Sequence, residues 1–218
     1  MLIVIPARAG SSLPGKNMRP VNGVSLVDRA LRLANDLDGH IVVTTDIPEL
    51  LSRTGDKATI YHERPAELCT ATALAWDVWR DAVKAAELRF SRTWEQHAYM
   101  EPTSPCRRKT DVLDCLNRDE DSVCTVSRTH HPFKAFSAKA GKLVVSVRPD
   151  GFLNNVPRQT YDGDWFVKNG ICYTCSDQRM QSAQTMLDEE TFLLEIERPV
   201  VNIDTERDFI LADLLCRD

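Results

Sequence analysis

The 218-residue sequence has no long hydrophobic run. Its first apolar stretch is Leu2 to Ile5, which Pro6 closes and the charge of Arg8 follows. A secretory signal needs a longer apolar segment, and a membrane-spanning helix needs about 20 apolar residues. We therefore expect a cytoplasmic protein that does not insert into a membrane.

Long basic blocks are missing as well. The chain has 27 Lys plus Arg against 32 Asp plus Glu, a net charge of −5, and its densest basic cluster is Arg107-Arg108-Lys109. Proteins that bind nucleic acid by neutralising many phosphates carry more positive charge. The composition therefore argues against a nucleic-acid partner. With 43% apolar residues, the chain can form one globular domain, or one domain with an appendage.

The seven cysteines do not form the two paired clusters that a four-ligand zinc site needs. The CxxC pair Cys172 and Cys175 lies in a predicted strand, where side chains three residues apart point to opposite faces. We expect most of the cysteines to be reduced and to pack in the core.

Strands and helices are predicted to alternate over the first 127 residues, with no internal repeat. Apolar runs predict strands at Met1 to Pro6, His40 to Thr45, Glu95 to Met100 and Asp121 to Ser127. Helical spacing predicts helices at Ser25 to Leu37, Thr70 to Leu88 and Lys109 to Leu116, the first capped by Ser25 and the last by Thr110. This alternation is typical of an open α/β sheet, in which ligands bind at the carboxyl ends of the strands.

The pattern changes from Phe133 onward. Two runs with a period of two, Phe133 to Lys139 and Lys142 to Val147, flank Ala140-Gly141 and predict a β-hairpin. We expect residues 137–164 to form an excursion from a main domain of residues 1–136 and 165–218. The main domain is predicted to resume with a strand at 165–175, a helix at 176–186, two short strands within 192–203, and a final helix capped by Thr205 and Asp208.

A glycine-containing loop follows the first strand. Gly10 to Lys16 fits GxxxxGK, but a P-loop needs Ser or Thr after the lysine and a helix that starts there. The next residue is Asn17, and Pro20 would fall inside that helix. The spacing therefore favours a flexible loop whose backbone N–H groups, with Arg8 and Lys16, can hold a triphosphate. An ordinary basic turn is the alternative.

These residues resemble the opening loop of the acylneuraminate cytidylyltransferases. The resemblance is carried by Ile5-Pro6-Ala7-Arg8-Ala9-Gly10-Ser11 followed by Pro14-Gly15-Lys16-Asn17. It continues in the family's order over nearly the whole chain, through Arg64-Pro65-Ala66-Glu67-Leu68, Pro102-Thr103-Ser104-Pro105 with Arg107, His131-Pro132-Phe133-Lys134, Pro157-Arg158-Gln159, Asp162-Gly163, Asn169-Gly170 with Tyr173, and Ile203-Asp204-Thr205.

The resemblance implies a fold and an activity. The fold is an open, mixed, mostly parallel sheet flanked by helices, like that of the nucleotide-diphospho-sugar transferases, with a small β-rich excursion that forms a homodimer. The activity is transfer of CMP from CTP to the anomeric hydroxyl of a 2-keto sugar acid, with Mg²⁺ as cofactor. Two alternatives remain: a different small acidic acceptor, such as another keto sugar acid or a phosphonate, or a CTP-binding protein that has lost turnover.

The resemblance also implies site residues. The implied nucleotide-binding residues are Ala7, Arg8, Gly10, Ser11, Lys16, Asn17, Arg64 and Ala73. The implied acceptor-binding residues are Glu101, Lys134, Arg158, Gln159, Asn169 and Tyr173, with Arg158 and Gln159 lying where the partner subunit reaches toward the acceptor. Arg8, Lys16 and Asp204 are implied to be catalytic, and Asp204 with Asn202 to hold the metal. For Arg64, the alternative is a surface ion pair with Glu63 or Glu67.

The chain departs from the family pattern at several positions. Asn202 stands where the family has the first Asp of an Asp-x-Asp metal pair, and Glu101 stands where it has Gln. Ser12 replaces a basic residue, Ala71 replaces Asp, and Val167-Lys168 replaces Arg-Pro. We expect residues 202 and 204 to share one face of a strand, so that both can reach one ion. The nucleotide half of the site is better kept than the acceptor half.

Overall fold

The first strand of the chain lies inside a mixed sheet. The computed structural model describes residues 1–10, 13–130, 136–139, 142–146 and 163–216. The strands in this part of the chain are β1 (Leu2–Ala7), β2 (Pro20–Val21), β3 (Val24–Ser25), β4 (His40–Thr45), β5 (Thr59–Glu63), β6 (Gln96–Tyr99), β7 (Ser122–Arg128), β8 (Phe136–Lys139), β9 (Lys142–Ser146), β10 (Phe166–Ser176) and β11 (Phe192–Glu195). The α-helices are α1 (Leu26–Asn35), α2 (Pro48–Leu51), α3 (Ala75–Phe90), α4 (Lys109–Leu116), α5 (Asp177–Ser182) and α6 (Glu206–Leu215).

Seven of the described strands form one sheet in the order β11-β7-β10-β6-β1-β4-β5. β1 pairs in parallel with β4 and β6, and β4 pairs in parallel with β5. β10 runs antiparallel to both β6 and β7. The predicted fold class, an open, mixed and mostly parallel sheet flanked by helices, is therefore confirmed. Because β1, β4, β5 and β6 are parallel, their carboxyl ends meet at one edge of the sheet.

Helices cover both faces of β1. Ile3 and Ile5 pack in the same apolar cluster as α1, while Leu2 and Val4 pack against α3. All four side chains are fully buried, which explains why β1 is apolar at every position instead of alternating. Each such side chain contributes about 1.5–3 kcal/mol to the free energy of folding. Trp76 and Trp79 of α3 are also buried in this core.

Two helices have the N-cap that the sequence predicts, and a third has a different one. Ser25 accepts a hydrogen bond from the Asp28 N–H, and Thr205 with Asp208 forms a capping box at α6, both as predicted. The prediction of Thr110 as the cap of α4 is wrong. The helix begins at Lys109, as predicted, but its N-cap is Arg108, whose N–H donates a hydrogen bond to the Asp111 carboxylate.

Three predicted boundaries also change. α3 begins at Ala75 and not at Thr70, whose hydroxyl instead donates to the Glu67 carbonyl. α5 ends at Ser182. Residues 196–204 form no strand beyond β11, since the Ile203 N–H donates to the Thr103 carbonyl in the loop after β6.

A disulfide bond joins Cys106 to Cys216, 110 residues apart. These two residues are the exceptions to the prediction that most of the cysteines are reduced. The other five cysteines are free, and Cys172 and Cys175 are both buried, as expected for packing residues.

β8 and β9 pair antiparallel, as the predicted hairpin requires. Residues 140–141 and 147–162 lie outside the described residues, so the extent of the excursion and the domain boundaries stay predictions. None of the helices in the described ranges combines the length and the apolar character that crossing a membrane would require.

Candidate active site

A cavity of about 270 Å³ opens at the carboxyl ends of β1 and β6, beside the start of α3. It is lined by seven residues that the resemblance assigns to nucleotide or acceptor: Arg8, Gly10, Lys16, Asn17, Arg64, Ala73 and Glu101. Ala71, Tyr99 and Thr103 also contribute to its wall. Residues from four separate parts of the chain therefore converge where an open α/β sheet binds ligands.

The first loop contributes Gly10, Lys16 and Asn17 to the cavity lining but lacks the helix that a P-loop needs. Lys16–Met18 makes a single 3₁₀ turn, and the chain becomes extended at Arg19, so no helix N-terminus follows the lysine. Asn17 is buried and its Nδ2 donates to the Arg8 carbonyl at 2.9 Å. Asn17 therefore holds the backbone that presents Arg8. Ala7 is fully buried inside β1 and does not line the cavity.

Lys16 connects the first loop to the other end of the chain. Its Nζ donates to the Ile203 carbonyl at 2.7 Å and lies 3.1 Å from Oδ1 of Asp204. Only 9% of the lysine side chain is exposed, against 73% of the aspartate side chain. The structure thus brings together two of the three residues that the resemblance makes catalytic, although they lie 188 positions apart in sequence.

Arg64 and Arg8 place two guanidinium groups at the cavity. Arg64 is buried and its Nη2 donates to the Thr44 carbonyl at 2.8 Å. Burial lowers the pKa of its guanidinium, and the charge of Arg8 lowers it further. A surface ion pair with Glu63 or Glu67 does not fit this buried position, so that alternative is wrong. Two cations facing one small cavity favour an anionic ligand.

Glu101 forms the opposite wall, directly after β6. Burial raises the pKa of its carboxyl, while Lys168, Arg107 and a hydrogen bond from the Asn202 amide oppose that rise. Gly170 lies against this group with φ +71°. A Cβ on Gly170 would lie 2.5 Å from Oε2 of Glu101 and 3.1 Å from Nδ2 of Asn202, which only glycine avoids.

Arg107 fastens the loop that carries Glu101 to β10. Its buried guanidinium donates to the carbonyls of Glu101 at 2.7 Å, Gly170 at 3.1 Å, and Ile171. Burial lowers the pKa of Arg107 to about 10. The sequence placed Arg107 in a motif but assigned it no role. Its only local signal is that it follows a proline-rich loop after a strand.

Two predicted acceptor residues lie beneath the cavity and do not line it. Asn169 is buried, and its Oδ1 accepts hydrogen bonds from Thr125 Oγ1 at 2.8 Å and from the Ile171 N–H at 3.2 Å. Tyr173 is 2% exposed and its ring packs near that of Tyr99. Neither side chain lines this cavity, and the assignment of both residues to the acceptor stays a prediction. Ser11, Lys134, Arg158 and Gln159 lie outside the described residues, and their roles stay predictions.

The proposed metal residues lie in irregular backbone, which corrects the expectation that they share a strand face. Asn202 Nδ2 faces Glu101, while its Oδ1 is buried and has no hydrogen-bond partner among the described residues. No group of three or more His, Cys, Asp or Glu side chains in the described ranges could hold a metal ion. The oxygens of Asn202 and Asp204 are nevertheless the donors that Mg²⁺ prefers, and the unpartnered amide oxygen fits a ligand role.

Solved structures of the same fold are nucleotidyltransferases. A CMP:2-keto-3-deoxy-manno-octonic acid synthetase complexed with CTP is 17% identical, covers 98% of this chain and 97% of that chain, and has a TM-score of 0.61. The 2-C-methyl-D-erythritol 4-phosphate cytidylyltransferase of Francisella tularensis is 12% identical, with 98% of both chains covered and a TM-score of 0.66. At these identities the likeness shows the fold alone.

Comparisons of the amino-acid sequence point to the cytidylyltransferases. Residues 2–55 match the cytidylyltransferase family model. Post-translational flagellin modification protein B of Campylobacter coli is 24% identical over 231 residues, covering 100% of this chain and 95% of that protein. N-acylneuraminate cytidylyltransferase of Escherichia coli O18:K1:H7 is 26% identical over 144 residues, 61% of this chain and 32% of that protein. These matches confirm the resemblance of this chain to the cytidylyltransferases.

Proposed function

We propose that this enzyme transfers CMP from CTP to a sugar acid and releases pyrophosphate. The observation that carries the proposal is the cavity at the ends of β1 and β6, where Arg8, Lys16, Asn17 and Arg64 meet. Its cations suit a triphosphate, and its size and position suit a nucleotide bound at the edge of a parallel sheet. The name of one sequence relative, N-acylneuraminate cytidylyltransferase, and the cytidylyltransferase family model that matches residues 2–55 support cytidine as the base.

The reaction needs no covalent enzyme intermediate. An acceptor hydroxyl oxygen attacks the α-phosphorus of CTP, the bond from that phosphorus to the bridging oxygen breaks, and pyrophosphate leaves with its electron pair. Arg8 and Lys16 would neutralise charge that develops on the phosphates, while Asn17 fixes the backbone of Arg8. Arg64, held by Thr44, would contact the base edge.

Asp204 and Asn202 would hold Mg²⁺ through their side-chain oxygens. When bound, the ion would supply positive charge to the phosphate oxygens. Lys16 contacts Asp204 and lines the cavity, so it would set the position of that carboxylate relative to the phosphates.

The acceptor is proposed to be a nonulosonic, sialic-type 2-keto acid. Two alternatives keep part of this function: another keto sugar acid or a phosphonate as acceptor, or CTP binding without turnover. The second is motivated by Asn202, which brings no charge, and by Ala71, which lines the cavity where the family has an aspartate.

The test is pyrophosphate release from each of the four nucleoside triphosphates with a panel of sugar acids and phosphonates. We expect release only with CTP, and fastest with a nine-carbon 2-keto acid. Release with a different acid selects the first alternative. Binding of CTP without release from any acceptor selects the second, and release with all four nucleotides contradicts the proposal.

We further propose that the enzyme is a cytoplasmic homodimer. The hairpin sequence from 133 to 147 carries apolar residues on an element too small to bury them alone. Arg158 would then lie near the partner's site. Sedimentation at micromolar concentration should give twice the chain mass of 24.6 kDa, and a clean monomer would contradict the dimer.

A further inference from the structure

The densest basic cluster of the sequence, Arg107-Arg108-Lys109, lines a second cavity that the proposed function does not use. This cavity has a volume of about 420 Å³ and lies between α1 and the beginning of α4. Its charged lining residues are Arg29, Arg32, Asp36, Arg107, Arg108 and Lys109. Five cations and one carboxylate thus surround this space, although the net charge of the chain is −5. We refer to it as the basic cavity.

The loop between β6 and α4 separates the basic cavity from the cavity assigned to the nucleotide. Glu101 and Thr103 of this loop line the nucleotide cavity, whereas Pro105 and Arg108 line the basic cavity. Pro102 contributes to both walls. The cations that line the nucleotide cavity do not line the basic cavity. The basic cavity is therefore a separate space with its own set of cations.

Arg107 brings a buried guanidinium to the basic cavity. Only 8% of this residue is exposed, and its Nε and Nη2 donate to backbone carbonyls. Its Nη1 donates to no group among the described residues, and it is not one of the nitrogens sealed inside the protein. Because Arg107 lines the basic cavity and not the nucleotide cavity, these remaining N–H donors are open to a ligand of the basic cavity. Buried donors of this kind normally have an acceptor.

Like charges are held close together around Arg107. A smaller cavity of about 230 Å³ adjoins the basic cavity, shares Arg29, Pro105, Arg107 and Arg108 with it, and is also lined by Arg198. Burial lowers the pKa of Arg198, and the charge of Arg108 lowers it further. Arg198 pairs with Asp111, but the side chains of Arg108 and Lys109 have no ion pair within the part of the chain that the structure describes. A bound anion would relieve this repulsion.

We propose that the basic cavity binds a small anion that carries two or more phosphate groups. The planar guanidinium matches the oxygens of a phosphate group, and four of the five cations are arginines. A phosphate group carries up to about two negative charges at neutral pH, so two such groups balance the positive charge that one carboxylate leaves over. The volume is within the range of small-molecule sites. This inference goes beyond the proposed function and does not depend on it.

The competing explanation is an ordinary solvated surface. Arg32, Arg108 and Lys109 are exposed, and exposed cations need no ligand. Under that explanation, an anion would respond to the total charge of the protein, and it would not matter from which surface two cations are removed. The two explanations therefore differ in whether the effect of a charge depends on its position.

The experiment measures binding of inorganic pyrophosphate to the full chain by titration calorimetry, without divalent cations. The test variant is Arg108→Gln/Lys109→Gln, which removes two exposed charges and no side-chain hydrogen bond among the described residues. The matched control is Lys84→Gln/Arg89→Gln, which removes the same two kinds of charge from exposed positions on α3, on the other face of the sheet. Arg8→Gln removes a cation of the nucleotide cavity.

We expect Arg108→Gln/Lys109→Gln to weaken pyrophosphate binding by about tenfold or more, because two charged donors are lost. The control should stay within about twofold of the parent, and Arg8→Gln should retain the site that Arg108→Gln/Lys109→Gln loses.

Three results would overturn the proposal. One is parental affinity in Arg108→Gln/Lys109→Gln, and another is an equal loss in the control on α3. The third is loss of all pyrophosphate binding in Arg8→Gln, which would place the only site in the nucleotide cavity. If Arg108→Gln/Lys109→Gln does not fold, Arg32→Gln removes an exposed charge from the α1 side of the basic cavity, and parental affinity there would likewise overturn the proposal.

Discussion

Replacing Arg107 by methionine should destabilise the protein and disable its site together. The guanidinium donates to three buried carbonyls, those of Glu101, Gly170 and Ile171, and so ties the loop after β6 to β10. Methionine fills a similar volume but donates no hydrogen bond. Each buried carbonyl left without its donor costs about 1–3 kcal/mol.

The net loss in the free energy of unfolding is smaller than the sum of these three costs. Burial lowers the pKa of Arg107 to about 10, which means that burying the cation itself costs free energy, and methionine removes that cost. We therefore expect the free energy of unfolding to fall by about 3–5 kcal/mol, the range for breaking a buried charged network. For a chain of this length, the midpoint of thermal unfolding should fall by roughly 10 °C.

The assay is urea and thermal unfolding by circular dichroism, followed by initial rates of pyrophosphate release at a temperature where both proteins are folded. Arg108→Met is the matched control, because the Arg108 side chain is exposed and its backbone N–H, which caps α4, is retained. Arg107→Met should also lower kcat, since the backbone of Glu101 loses its anchor. Equal stability of the two variants would refute the reasoning.

Three further predictions follow from the same contacts. Gly170→Ala should lower the free energy of unfolding by about 1–3 kcal/mol and reduce turnover, because the added Cβ displaces Glu101. The control is Gly163→Ala, which has a φ of +86° but open space around it and should show only the cost of backbone strain. Equal turnover of the two variants would contradict this prediction. Burial lowers the pKa of His97 below about 6.5 despite the neighbouring Asp177. As the pH falls, the unfolded chain therefore binds this proton before the folded protein does, so the free energy of unfolding should fall below about pH 6.5. Urea unfolding at two pH values should show that this pH dependence is weaker in His97→Gln. We expect the parent to bind CTP at least about tenfold more tightly than the other three nucleotides, and Arg64→Met should reduce this preference. Equal thermal stabilisation of the parent by all four nucleotides would exclude a role of Arg64 in base recognition.

Elements with a strong local signal were predictable. β1 is apolar at consecutive positions because both of its faces are covered, and α1 and α6 begin at residues whose side chains cap them. The first loop could likewise be excluded as a P-loop, because Asn17 and Pro20 are local facts. The strand–helix alternation then sufficed for the fold class and for the edge of the sheet at which the site lies.

Elements whose stability comes from neighbours were missed or misplaced. β5 is an edge strand with half-buried residues and little apolar signal, and α2 is a single turn of helix. α3 was predicted to start at Thr70, but the hydroxyl of Thr70 bonds to Glu67 and the helix begins at Ala75. In these cases side-chain hydrogen bonds and packing determine where a helix or strand begins, and the spacing of hydrophobic residues does not predict them.

The sequence by itself determined the strand–helix alternation and the character of the first loop, since each depends on residues close together in the chain. Through the resemblance, it also indicated seven of the residues that line the cavity. Tertiary structure alone decided which distant groups meet: Lys16 with Asp204, Cys106 with Cys216, and Arg107 with Gly170 and Glu101. It also decided that Asn169 and Tyr173 are buried and do not line the cavity. The physical reason is that a side chain's partners depend on how separate segments pack, whereas its tendency to form a strand or helix depends largely on its neighbours in sequence.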